Sequence, residues 1–299
     1  MPGWFYEPCS RRDALWTLAG GIAGSCWSWR AAAGTASSSA WHLALLSDTH
    51  IPAQRDDSYR GFKPVENLQT IVPQVVASQA SALLLSGDAA RLDGQRGDYQ
   101  VLRELLQPVA AVMPIIIGLG NHDDRDNFFH EFPAEARGGQ AVKVSGRHVT
   151  LLEHPWLRIV MLDSLLYVNR VAGFLGKAQR TWLEQALPQL HDRPLVLFVH
   201  HTLGDGDGEL LDAERLLAMV QPHPHVKAIF YGHSHRYEVL QRDGLQLVNL
   251  PASGYNFADD QPVGWVEAWF ETTGVRLQLH AVGGARQHDG QVWSVRWLR

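Results

Sequence analysis

Short apolar runs recur along the chain and each ends in polar residues. Trp41–Leu46, Ala82–Ser86, Ile115–Leu119, Trp156–Leu162, Leu195–Val199 and Val226–Tyr231 all read as buried strands. Between them the period lengthens. Pro64 opens a helix carried by Leu68, Ile71, Val72, Val75 and Val76, in which Pro73 either makes a kink or marks the true start. Asp98 caps a helix running through Leu106, with Val101, Leu102 and Leu105 inward. Lys177–Leu187 and Leu211–Val220 are amphipathic in the same way. Residues 264–270 and 275–279 alternate, which predicts two antiparallel strands turning near Thr273-Gly274. Residues 133–147 mix glycine and charge with little period and read as a surface excursion; the tail from Gly283 carries no assignable pattern. There is no internal repeat and no interdomain linker. Apolar runs separated by helices fit an α/β sheet whose strand carboxyl ends share one rim, where ligands bind.

Five of the runs stop at a small polar cluster: Asp48/His50, Asp88, Asn121/His122, His200/His201 and His233/His235. Gly120 lets the backbone turn as its strand ends. Taken alone, Gly120-Asn121-His122-Asp123 reads equally well as a polar turn. Together the clusters say more. Asp48, His50, Asp88, Asn121, His200, His233 and His235 offer oxygen or nitrogen donors and no sulfur. Seven donors exceed one tetrahedral ion and suit two ions sharing a carboxylate. Asp88, alone on a central strand, is the natural shared ligand. Two cations about 3.5–4 Å apart also acidify a bridging water, so hydroxide becomes available near neutrality for in-line attack at phosphorus. The donors admit Mn, Fe or Zn, divalent or trivalent.

Composition narrows the alternatives. The 299 residues are 45% hydrophobic, enough for one large domain or two small ones. The formal net charge is -5, with no basic footprint, which disfavours broad nucleic-acid binding. Fifteen histidines are many, and the two cysteines, Cys9 and Cys26, lie near the start. A thiolate zinc site and a disulfide framework are thereby excluded for the main body. Residues 1–40 combine Arg11-Arg12, an apolar stretch from Ala14 to Trp29 shorter than the ~20 residues of a spanning helix, and a run of small residues. These are the parts of an export signal. The arginine pair resembles a twin-arginine signal, apart from Ala14 where Phe or Leu is usual. An uncleaved anchor or a disordered tail is the alternative; lipid attachment at Cys26 matches poorly. The expectation is a protein that folds before crossing the membrane and works in the periplasm or outside. Gly204–Gly208 is similar to a calcium loop, but Leu216 stands where a bidentate Glu is required. His223 and His225 read as a surface turn.

Asp48-Thr49-His50, Gly87-Asp88, Gly120-Asn121-His122-Asp123, His200-His201 and Gly232-His233-Ser234-His235, in this order, resemble the calcineurin-like metallophosphoesterase superfamily over residues 41–280. Residues 281–299 are left as a tail. Asp123-Asp124-Arg125 and Pro64–Leu68 are most similar to the bacterial cyclic-nucleotide and glycerophosphodiester phosphodiesterase branch. The resemblance implies a four-layer α/β/β/α sandwich with two mixed sheets. It implies one ion on Asp48, His50, Asp88 and His235 and another on Asp88, Asn121, His200 and His233. His200 is preferred to His201 as the first residue after its strand. His122 is no ligand in this pattern; it faces the leaving group as general acid or charge stabiliser. Asp123 either orients His122 or serves the turn. The branch usually has Pro where this chain has Thr202, so the loop beyond is expected to differ. The activity implied is hydrolysis of small phosphate esters, foremost diesters, by attack of a metal-bridging hydroxide. A phosphomonoesterase and a dead scaffold of the same fold are the alternatives.

Overall fold

The computed structural model describes residues 40–134 and 137–299. The expected export segment, but for Ala40, lies outside the described residues. Among the described residues, thirteen strands form two mixed sheets. The first contains β1 (Trp41–Leu46), β2 (Leu83–Leu85), β3 (Ile115–Ile117), β11 (Pro262–Glu271), β12 (Gly274–Gly284) and β13 (Val292–Arg296), in the order β13-β12-β11-β1-β2-β3. The second contains β4 (Gln140–Val144), β5 (Arg147–His154), β6 (Leu157–Met161), β7 (Leu195–Phe198), β8 (Val226–Tyr231), β9 (Glu238–Arg242) and β10 (Leu245–Asn249), in the order β4-β5-β6-β7-β8-β10-β9. β1, β2 and β3 are parallel neighbours in one sheet, as are β6, β7, β8 and β10 in the other.

Side-chain alternation builds four layers from these sheets. Leu43 and Leu45 of β1 meet Val196 and Phe198 of β7 between the sheets. Ala44 and Leu46 point the other way, under α1 (Pro64–Ser78), α2 (Arg96–Ala110) and α3 (Arg125–Glu131). Leu195 and Leu197 face α4 (Gly176–Ala186) and α5 (Ala213–Val220) on the far side. The result is the expected α/β/β/α sandwich.

α1 starts at Pro64, as expected, and runs on past Pro73, which therefore does not mark its start. The carbonyl that Pro73 leaves free belongs to Gln69, and both residues are exposed, so the carbonyl is open to solvent. Several other local expectations are corrected. Asp98 does not cap α2 from outside. It is the third helical residue and reaches back to accept from the Gln95 N–H at 3.0 Å. The stretch 133–147 is not all excursion, since it supplies β4 and the start of β5. The tail is ordered too: residues 281–299 finish β12 and add β13, paired antiparallel to it.

Candidate metal centre

Asp48, His50, Asp88, Asn121, His200, His233 and His235 all follow the carboxyl ends of β1, β2, β3, β7 and β8, and they converge. Backbone bonds continue the parallel pairing beyond the strands: Asp48 N–H donates to Gly87 O at 3.0 Å, His50 N–H to Asp88 O at 2.9 Å and Gly232 N–H to His200 O at 2.9 Å. Three overlapping groups result, in which ligand atoms lie within 4.8 Å of one another: Asp48/His50/His235, His50/Asp88/His122 and Asp88/His200/His233.

Asp88 stands between the groups. Its Oδ2 is 3.3 Å from His200 Nε2 and 3.8 Å from His50 Nε2, while Oδ1 accepts the His122 N–H at 2.8 Å. Asp48 Oδ1 lies 3.3 Å from His235 Nε2 and 3.8 Å from His200 Nε2. The Nε2 atoms of His50 and His235 approach to 3.1 Å. Ring orientation is set from outside. His235 Nδ1 donates to Tyr255 O at 2.5 Å, and His233 Nε2 donates to Gly208 O at 2.9 Å, which leaves the opposite nitrogen of each ring for the cluster. Gly120 passes so close that an added Cβ would sit 2.1 Å from Asp88 Oδ1.

The two histidines after β7 part company. His200 faces both carboxylates. His201 turns away to Ser164 Oγ at 2.7 Å, with its ring against Gly173. Thr202 donates to Gly232 O at 3.2 Å, tying its loop to the one that carries His233 and His235. His122 is half-buried and donates from Nδ1 to Leu92 O at 2.6 Å, so Nε2 is its free edge. Asp123 does not orient His122. It is fully buried and accepts from the N–H groups of Gly120 (2.8 Å), Ala90 (3.1 Å) and Ala89 (3.2 Å) and from the Tyr99 hydroxyl (3.0 Å). Burial, then the charge of Asp88, pushes its carboxyl up to about 6 against those N–H groups.

Electrostatics and unmet hydrogen bonding both fit metal. Burial alone would raise Asp48 and Asp88, but His200 leads a set of imidazoles that holds both carboxyls well below their ordinary range. Burial pushes His50 down to about 3 and His233 to about 4, so both are neutral. For His200, burial is outweighed by Asp88 and Asp48, and the ring is pushed up to about 9, a proton that metal binding would release. Asp48 Oδ1, Asn121 Oδ1 and both ring nitrogens of His200 are buried without a hydrogen-bond partner. Such orphans are costly unless something else satisfies them. Asp48 Oδ1, Asn121 Oδ1 and His200 Nε2, the ring nitrogen that faces the carboxylates, belong to the donor set that chemistry assigns to cations.

The sequence pattern missed the support: Tyr255, Gly208 and Leu92 act through backbone carbonyls, and Ser164 through a hydroxyl. Only Tyr255 carries a signal, an aromatic residue just past the apolar run 245–252.

The family model for calcineurin-like phosphoesterases matches residues 42–237. A glycerophosphodiester phosphodiesterase of Enterobacter lignolyticus is 30% identical over 224 residues, covering 71% of this chain and 77% of that one. A 3',5'-cyclic adenosine monophosphate phosphodiesterase of Pseudomonas aeruginosa is 29% identical, covering 72% and 77%. Among solved structures, a dimetal phosphatase from Danio rerio superposes with a TM-score of 0.68 at 13% identity, covering 86% of this chain and 99% of that one. A purple acid phosphatase from yellow lupin gives 0.64 at 18% identity, covering 86% and 53%.

Proposed function

Because the chain belongs to the calcineurin-like phosphoesterase family and is a metal-dependent phosphoesterase, we propose that it hydrolyses phosphodiesters at a dinuclear centre built from the five converging loops. The observation that carries this reading is the buried, unpartnered pair Asp48 Oδ1 and His200 Nε2, 3.8 Å apart with Asp88 3.3 Å from His200, and the equally unpartnered Asn121 Oδ1 one residue before His122, whose N–H binds Asp88. Asp48, His50, Asp88 and His235 would hold one cation; Asp88, Asn121, His200 and His233 would hold the other. The pair would supply Lewis acidity toward phosphoryl oxygens and acidify the attacking water.

The chain's own groups do the rest. Asp88 sets the spacing of the two halves, with Oδ2 between His50 and His200 and Oδ1 held by the His122 N–H. His122, steered by the Leu92 carbonyl, presents Nε2 to the leaving oxygen, as a proton donor or as a stabiliser of its charge. Preference for diesters is supported by the two relatives named above, one acting on glycerophosphodiesters and one on a cyclic nucleotide.

The test compares two variants of metal-loaded protein. Asp88→Ala should lose both ions by elemental analysis, together with turnover of bis(p-nitrophenyl) phosphate. His122→Ala should keep its metal and lose about 10²-fold or more in kcat, the range of a general acid. Equal metal loss in the two would overturn the roles, and faster turnover of p-nitrophenyl phosphate than of the diester would overturn the preference.

Export by the twin-arginine route belongs to the same proposal and is supported by residues 10–40 of the sequence. Cell fractionation of the wild type against an Arg11→Lys/Arg12→Lys variant tests it: the wild type should reach the periplasm and the variant should stay in the cytoplasm.

A further inference from the structure

The phosphoryl chemistry does not use the aromatic side chains that flank His50 and His235. Tyr255 stacks on His50, with centroids 4.7 Å apart and 28° between the planes, and meets Tyr59 edge-on at 4.7 Å. Phe257 stacks on His235 at 4.2 Å and 22°. Tyr59 and Phe257 are nevertheless 42% and 48% exposed, so each shows free ring surface beside the ligands. Both loops are braced. Arg60 donates to Phe257 O at 2.8 Å, and Asn67 on α1 donates to Gly254 O at 2.7 Å. Arg91, three residues beyond Asp88, lies 5.7 Å from the Tyr59 ring centroid. It is half-exposed, and no carboxylate lies within ion-pair distance of it among the described residues.

We infer that Tyr59, Phe257 and Arg91 form a nucleobase subsite, which makes nucleotide diesters, rather than glycerol-type diesters, the preferred substrates. The inference rests on the phosphodiesterase reading above. Rigidly held rings with open faces suit a planar partner, and stacking is tolerant of which base it is. The half-exposed Arg91 guanidinium beside the Tyr59 ring offers a positive charge and N–H donors next to the same surface. A glycerol headgroup has no flat face for Tyr59 or Phe257. Continuity with the centre is direct, since Tyr255 touches both Tyr59 and His50, and Phe257 touches His235.

The experiment measures kcat/KM on 3',5'-cyclic adenosine monophosphate and on glycerophosphoethanolamine for the metal-loaded wild type, Tyr59→Ala, Tyr59→Phe and Arg91→Met. Calorimetric binding of adenosine 5'-monophosphate to the metal-free proteins is measured alongside. The wild type should prefer the nucleotide. The ratio of the two kcat/KM values should fall about tenfold or more in Tyr59→Ala and in Arg91→Met, mainly through KM, while Tyr59→Phe retains it. Adenosine monophosphate binding should weaken in parallel. A ratio unchanged within twofold, or a wild type that favours the glycerol diester, would overturn the subsite and leave the diesterase standing. A wild type that turns over neither diester would overturn both.

Discussion

Asp48, His50, Asp88, His233 and His235 hold φ between 45° and 70°, the left-handed region that L side chains avoid. Such backbone costs on the order of 1–2 kcal/mol per residue and persists only where its surroundings over-determine it. Here the surroundings are identifiable, and Asp123 is their hub. Its four hydrogen bonds fasten the loop after β2, through Ala89 and Ala90, to the loop after β3, through Gly120, and both to Tyr99 of α2. Asp123→Asn would turn an amide group toward donors that need an acceptor. Losing a buried bond to a charged group costs about 1.5–3 kcal/mol. Urea denaturation of the metal-free protein should show a loss of that size. Metal affinity should fall as well, because Asp88 and Asn121 ride on the loosened loops. A variant as stable as wild type would show that the hub is dispensable.

Elements are coupled across the sandwich by a second buried carboxylate. Asp163, just past β6 in the second sheet, takes a two-pronged bond from Arg125, with Nε and Nη2 each 2.8 Å from an oxygen. Arg125 opens α3, which starts three residues after His122 and is capped by Asp124 through the Asn127 N–H at 2.8 Å. Asp163 also accepts from the His148 and Leu165 N–H groups at 2.8 and 3.0 Å. Removing one partner strands the other's charge, at a cost of about 3–5 kcal/mol in fully buried pairs. Arg125 is 23% exposed, so Arg125→Ala should sit near the lower end. Arg125→Lys keeps the charge but not the fork and should fall between. Chemical denaturation checks the order, and kcat on a diester should drop in step as the His122 loop loses its anchor. Elements of this kind explain what the sequence made legible. Strands lying between two layers are continuous apolar runs, and their polar tips stood out at once. Three of the four edge strands are not: β4, β9 and β13 are largely exposed, so Gln140–Val144, Glu238–Arg242 and Val292–Arg296 show no run to read. The Arg125–Asp163 bond was invisible for another reason, since nothing local in either segment reports a partner 38 positions away.

On the scale of the whole molecule the parallel strands have two unlike ends. The carboxyl ends carry the metal centre. The amino ends carry the His223–His225 turn, where Leu195 N–H, opening β7, donates to His225 O at 2.8 Å and Val226 opens β8. His225 stands apart from the proposed ligands, so its titration reports on folding rather than on metal. Burial first, and then the neighbouring charge of His223, pushes it from the ordinary 6.5 down to about 4. The backbone bond to Leu187 favours the charged ring, and His191 and Lys227 oppose it. The unfolded chain therefore takes up this proton below pH 6.5, while the folded chain refuses it until about pH 4. Because the unfolded state binds more protons in that window, its stability relative to the native state gains as pH falls. The contribution of neutral His225 is fully present above pH 6.5 and is lost as the pH drops toward 4. Melting temperature measured from pH 7.5 to 4.5 should decline in the wild type, and His225→Gln, which cannot titrate, should decline less over the same interval. Identical slopes would place the acid sensitivity elsewhere, and a steeper slope in the variant would reverse the sign assigned to this histidine.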